Sequence, residues 1–166
     1  MHRISAIIVI AIALGIPALA QEKTAVKLYN PDADAAAELD AAIERAEQEG
    51  RHVLVQVGGN WCPWCIKLDK LFTTNDTIRA FIERHYVFLL VNYSKENRNL
   101  PVLERLGFPQ RFGFPVMVVL DGKGSRLHTQ DSGLLEEGKA HSAEKVLTFL
   151  NNWAPPALDP ARYKDQ

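Results

Sequence analysis

Val53-Leu54-Val55-Gln56-Val57 runs through Gly58-Gly59-Asn60 into Trp61-Cys62-Pro63-Trp64-Cys65, and this stretch decides the fold. The β-branched run closed by two glycines reads as a short buried strand. After the cysteines, Ile66, Leu68, Leu71 and Phe72 keep helical spacing, so the motif opens a helix. Pro63 suits that start, because the first helical turn has no internal use for its N–H. Cys62 and Cys65 then lie on one face, with Cβ atoms about 5–6 Å apart. A small local adjustment brings them to the roughly 3.5–4.5 Å of a disulfide. Unpaired N–H groups and the helix dipole favour a thiolate at Cys62. Cysteines so placed ionise at about 3.5 to 7.5, against about 8.5 for a free thiol. Cys62 is therefore expected as the exposed attacker, and Cys65, one turn inward, as the thiol that resolves a mixed disulfide.

Other uses of the pair fit less well. A structural disulfide this local closes almost no loop and adds little stability. Only two cysteines are present, and none of His52, His85, His128 or His141 sits at a tight ligand spacing, so no metal is expected. Haem attachment needs histidine after the second cysteine, where Ile66 stands.

Working outward, Asn30-Pro31-Asp32 signals a helix start, Leu39, Ile43 and Ala46 follow at helical spacing, and Gly50 is the stop. Downstream, Asn75 or Asp76 can cap a second helix carrying Ile78, Phe81 and Ile82. Tyr86 to Val91 is a buried strand, Pro101 to Leu106 a short helix and Val116 to Leu120 a third strand. Asp121-Gly122-Lys123-Gly124 is a hairpin turn, with Arg126 to Gln130 returning as an edge strand. Ser142 can cap a last helix bearing Val146, Phe149 and Leu150. A helical crossover between the first two strands implies parallel pairing, and the hairpin antiparallel pairing. The expected fold is α/β, a mixed central sheet with helices on both faces.

The chain has 166 residues, 47% hydrophobic and 23% charged, which is ordinary for one globular domain. Its 19 Lys and Arg against 20 Asp and Glu give no electrostatic case for nucleic acid or an anionic membrane. Arg3, the apolar run Ile4 to Ile16 and Ala18-Leu19-Ala20 fit a signal peptide over residues 1–20, with a retained anchor as the alternative. Cleavage leaves no stable membrane span and sends the protein to the periplasm or outside the cell, where disulfides persist. The expected organisation is a lead-in over 21–34, a domain over 35–154 and a poorly ordered tail over 155–166.

The segments VLVQV, GGNWCPWCIKLDKLF, YVFLLVN, FGFPVMVVLDGKG and EKVLTFLNNW together resemble the thioredoxin superfamily, in particular its exported thiol–disulfide oxidoreductases. The resemblance covers about residues 35–153 and implies a thioredoxin-like fold. It implies a cis Pro115 facing the cysteines, with the Phe114 backbone free to pair with an extended substrate by strand addition. Pro109 is a weaker candidate for the cis bond. The resemblance places Gln56 where a buried carboxylate usually moves the resolving proton, and Leu90 where a lysine is usual. A neutral amide cannot take that proton, and Lys67, Lys70 or solvent remain as substitutes. Between the cysteines stand Pro63 and Trp64, without the histidine of strong oxidases. The apolar faces of Trp61 and Trp64 suit docking of a polypeptide, so Trp61, Pro63, Trp64, Phe114 and Pro115 form the expected substrate-binding set. The implied activity is disulfide exchange with cysteine-containing exported proteins, reset by a redox partner and needing no cofactor. The alternatives are a dedicated relay to one partner, as in cytochrome maturation, and a non-catalytic peptide-binding module of the same fold.

Overall fold

A computed structural model describes residues 27–164, so the expected signal peptide lies outside the described residues. Along the strand His52–Gly58 (β1) every residue is buried, and successive side chains alternate between two faces. Val53, Val55 and Val57 pack under the helices Ala35–Glu49 (α1) and Leu100–Arg105 (α4). Leu54 faces the helices Pro63–Thr74 (α2), Asp76–His85 (α3) and Ala143–Trp153 (α5). A strand enclosed on both sides explains the nearly continuous apolar run in the sequence.

The strand Tyr86–Asn92 (β2) pairs parallel with β1, and Val116–Leu120 (β3) pairs antiparallel on its other side. Arg126–Asp131 (β4) closes the sheet antiparallel to β3, giving the order β2-β1-β3-β4. This is the mixed sheet, helix-covered on both faces, that the sequence implies. Asp121 holds the β3–β4 turn by accepting from the N–H groups of Lys123 and Ser125 at 2.9 and 2.8 Å, and Gly124 takes the left-handed conformation there (φ 80°). The Tyr86 hydroxyl donates to the Leu150 carbonyl at 2.7 Å and ties α5 to the sheet.

Three details depart from the sequence reading. The first helix begins at Ala35, not in the Asn30-Pro31-Asp32 turn, because Asp34 accepts from the Ala37 N–H at 3.0 Å. Between β4 and α5 the chain makes a 3-10 turn over Ser132–Leu135 and a small hairpin of Glu136–Glu137 (β5) and Ala140–His141 (β6). The segment expected as a loose tail forms 3-10 turns over Pro155–Leu158 and Pro160–Tyr163. Prolines preset φ in both, and Asp159 accepts from the Ala161 N–H at 2.9 Å.

The Asp34 cap gives a direct test. Asp34→Ala leaves a helix-terminal donor without its side-chain partner, and denaturant unfolding should show a loss of about 1 kcal/mol.

Candidate active site

β1 delivers the chain to the site, and α2 carries it away. Cys62 is the N-cap of α2 in an extended conformation (φ −100°, ψ 101°), with Pro63 in the first turn. Its Sγ accepts from the Cys65 N–H at 3.2 Å, so a helix-start amide points at that sulfur. A disulfide joins Cys62 and Cys65 across a Cα–Cα distance of 5.3 Å. Cys65 is fully buried, and Cys62 is only 4% exposed, which is less open than the sequence reading expects. Tyr29, Trp64, Leu90 and Phe114 pack around the pair and leave Cys62 a narrow opening.

The aromatic neighbours are pinned. Trp61 is 55% exposed, yet its indole N–H donates to the Tyr93 carbonyl at 2.7 Å. Its ring stands edge-on to Phe114 at 5.4 Å, and Phe114 stacks on Tyr93 at 4.7 Å. These rings make a partly exposed aromatic ledge beside the disulfide. On the other flank, Trp64 meets the His141 ring edge-on at 5.2 Å, and the Lys67 ammonium lies 4.1 Å from the Trp64 ring centre. Lys67 also donates to the Lys139 carbonyl at 2.8 Å, which commits its ammonium to that flank. Burial, with the Lys67 charge second, holds the His141 imidazole below its ordinary pKa. Neither ring nitrogen of His141 has a hydrogen-bond partner among the described residues.

The Phe114–Pro115 bond is cis, and it is the one cis peptide bond among the described residues. Pro115 is buried, and its carbonyl accepts from the Ser132 hydroxyl. Phe114 precedes β3 and makes no backbone hydrogen bond among the described residues.

Gln56 is fully buried on the central strand, in register with Leu90 on β2 and Met117 on β3. Its Nε2 donates to the Tyr29 hydroxyl at 2.6 Å and to the Cys65 carbonyl at 3.2 Å. Its Oε1 has no partner among the described residues. Tyr29 is 2% exposed and is clasped by Asn60, which accepts from the Tyr29 N–H at 2.8 Å and donates to the Tyr29 carbonyl at 2.7 Å. Burial chiefly pushes the Tyr29 phenol well above its ordinary pKa, against the opposing Gln56 hydrogen bond. Burial likewise raises half-buried Asp69, one helical turn beyond Cys65.

Tyr29, Asn60 and His141 were not singled out from the sequence. Tyr29 lies in the lead-in, and no local pattern links it to residues thirty positions on. The Gly58-Gly59 pair was the available signal, since paired glycines at a strand end mark close approach of other groups. A Cβ on Gly58 would sit 2.5 Å from Cys65 Sγ and 2.7 Å from the Tyr29 hydroxyl oxygen.

Residues 34–122, more than half of the chain, match the model of a family described as thioredoxin-like. The chain belongs to that family. Among solved structures, this thioredoxin-like chain is similar to a disulphide isomerase from Xylella fastidiosa Temecula1, with 26% identity and a TM-score of 0.69 over 76% of this chain and 96% of the other. It also shares its fold with a DsbH oxidoreductase, at 20% identity and a TM-score of 0.52 over 82% and 92% of the two chains. No curated protein matches the sequence. Among the described residues no helix is long and apolar enough to cross a membrane, and no group of three or more His, Cys, Asp or Glu side chains is placed to hold a metal.

Proposed function

We propose that this thioredoxin-like protein is a thiol–disulfide oxidoreductase acting on cysteine-containing exported polypeptides. The carrying observation is the Cys62–Cys65 disulfide at the start of α2, with the Cys65 N–H aimed at Cys62 Sγ. When the pair is reduced, that amide and the helix dipole stabilise negative charge on Cys62. The Cys62 thiolate attacks a substrate disulfide, forms one S–S bond and releases one substrate sulfur as a thiolate. Cys65, having lost its proton, then attacks Cys62 Sγ. The internal disulfide closes, the second substrate sulfur leaves with the electron pair, and it takes up a proton. Two electrons pass from the dithiol to the substrate, and a separate thiol partner returns them.

Pro63, exposed beside Cys62, and the ledge of Trp61 and Phe114 support docking of an extended polypeptide, as does Trp64 on the far flank. The unengaged Phe114 backbone before cis Pro115 suits strand addition, which holds many sequences through main-chain bonds. The leader-like residues 1–20 support export to a compartment where such disulfides persist.

Insulin reduction with dithiothreitol as donor tests the reading. Catalytic turnover well above the uncatalysed rate is expected, and a passive disulfide clip would give none. The reduction potential of the couple then assigns direction, a value near about −270 mV indicating a reductant and one near about −120 mV an oxidant.

A further inference from the structure

Gln56 is neutral and its partners dictate which way its amide faces. The Cys65 carbonyl can only accept, so the NH2 group must point to it. The same nitrogen reaches the Tyr29 hydroxyl at 2.6 Å, so that oxygen accepts and its own hydrogen is left to be given elsewhere. The hydroxyl oxygen and Cys65 Sγ lie 2.7 and 2.5 Å from one point, the Cβ position of Gly58, and so within about 5 Å of each other. The missing side chain at Gly58 keeps the space between them clear. Asn60 fixes the Tyr29 backbone at both its N–H and its carbonyl, while burial of the ring and the Gln56 bond to its hydroxyl hold the side chain in place.

We infer that Tyr29 is the hydrogen-bond donor that steadies Cys65 as a thiolate, a role the neutral Gln56 cannot fill alone. The inference rests on the oxidoreductase reading for its use in turnover. When the internal disulfide is open, the Tyr29 O–H turns to Cys65 Sγ while the hydroxyl oxygen still accepts from Gln56. Cys65 gives its proton to water, and its thiolate attacks Cys62 Sγ. The Cys62–substrate bond breaks, and the departing substrate thiolate takes up a proton. Tyr29 keeps its own proton throughout, consistent with a phenol that burial holds well above its ordinary pKa.

The charged and titratable groups around the pair are few. Asp69 on α2 interacts unfavourably with negative charge at Tyr29 and opposes a buried thiolate. Lys67 on α2 is bound to the Lys139 carbonyl, and His141 on β6 stands against Trp64. Of these groups, Tyr29 has a hydroxyl hydrogen that the Gln56 contact does not use and an oxygen within about 5 Å of Cys65 Sγ.

Tyr29→Phe removes the hydroxyl and keeps the buried ring. In a Cys62→Ser background, titration of Cys65 by ultraviolet absorbance should move up by about one pH unit, the size expected for losing a hydrogen bond to a charged group. With both cysteines present, release of substrate from a preformed mixed disulfide should slow about tenfold at neutral pH. In a Cys65→Ser background, alkylation of Cys62 should be little changed, which a general loosening of the fold would not give. An unmoved Cys65 titration, or equal changes at both cysteines, overturns the inference. A shifted titration in a protein that never reduces insulin overturns the oxidoreductase reading and leaves the Tyr29–Cys65 bond standing. Should Tyr29→Phe not fold, Gln56→Met removes the amide that orients the hydroxyl. It should raise the Cys65 titration by a smaller amount, and no movement there also overturns the inference.

Discussion

A Cys65→Ser variant becomes a covalent trap. Cys62 keeps its place at the start of α2 and its amide donor from residue 65, so its attack on a substrate disulfide survives. Serine is close to cysteine in size, and position 65 is fully buried, so the packing around Tyr29 and Phe114 changes little. The serine hydroxyl, however, is not ionised near neutral pH and cannot displace the substrate from Cys62. Mixed disulfides should accumulate on non-reducing gels and disappear with dithiothreitol. Steady insulin reduction should fall by about a thousandfold or more, the scale seen when a nucleophile of a concerted unit is removed. The reciprocal variant sharpens the test. Cys62→Ser leaves its one thiol at position 65, with no exposed surface, so it should form no substrate adduct. Adducts forming equally well through Cys65 would reverse the proposed order of attack, and adducts with neither variant would remove covalent exchange altogether.

The parts of this site that follow from local pattern could be read from the chain. The β-branched run of β1, the glycines that end it and the cysteines three apart fix strand, turn and helix start within about a dozen residues. Two pairing directions follow too, because a helical crossover implies a parallel pair and a tight hairpin an antiparallel one, whereas the place of β3 beside β1 comes from the structure. What was hidden depends on contacts distant in sequence. Tyr29 reaches the site because Asn60, thirty-one residues away, pairs with its backbone. His141 reaches Trp64 through the β5–β6 hairpin, whose strands of two residues each are too short to leave a periodic signal. The expected openness of Cys62 failed for the same reason, since three of the groups that cover it come from elsewhere in the chain, at Tyr29, Leu90 and Phe114. Gln56 stands apart from these. The sequence marks it as an unusual neutral group on a buried strand, and only the fold supplies the hydroxyl that it orients.

Gly58→Ala probes how tightly that hidden arrangement is set, and it should be among the most damaging single-methyl additions in the protein. Gly58 is not one of the positive-φ positions, so alanine meets no backbone penalty there and the effect isolates space. The new Cβ would fall 2.5 Å from Cys65 Sγ, 2.7 Å from the Tyr29 hydroxyl oxygen and 3.1 Å from the ring carbon that bears it. None of these atoms can retreat freely. The sulfur is bonded to Cys62, and the tyrosine is held by Asn60 at its backbone and Gln56 at its tip. Overpacking of this kind costs about 1–3 kcal/mol, and guanidinium unfolding of the oxidised protein should show the upper part of that range. Reduction frees the sulfur to turn away, so the loss should be smaller in the dithiol form. A strain present mainly in the oxidised state makes the disulfide easier to reduce, and each 1.4 kcal/mol or so of selective relief raises the potential by about 30 mV. Equilibration with glutathione should therefore show Gly58→Ala as more oxidising than the parent. A variant with unchanged unfolding midpoints, or one destabilised equally in both redox states, would mean that Gly58, Cys65 and Tyr29 are not in the close contact on which the buried half of the site depends.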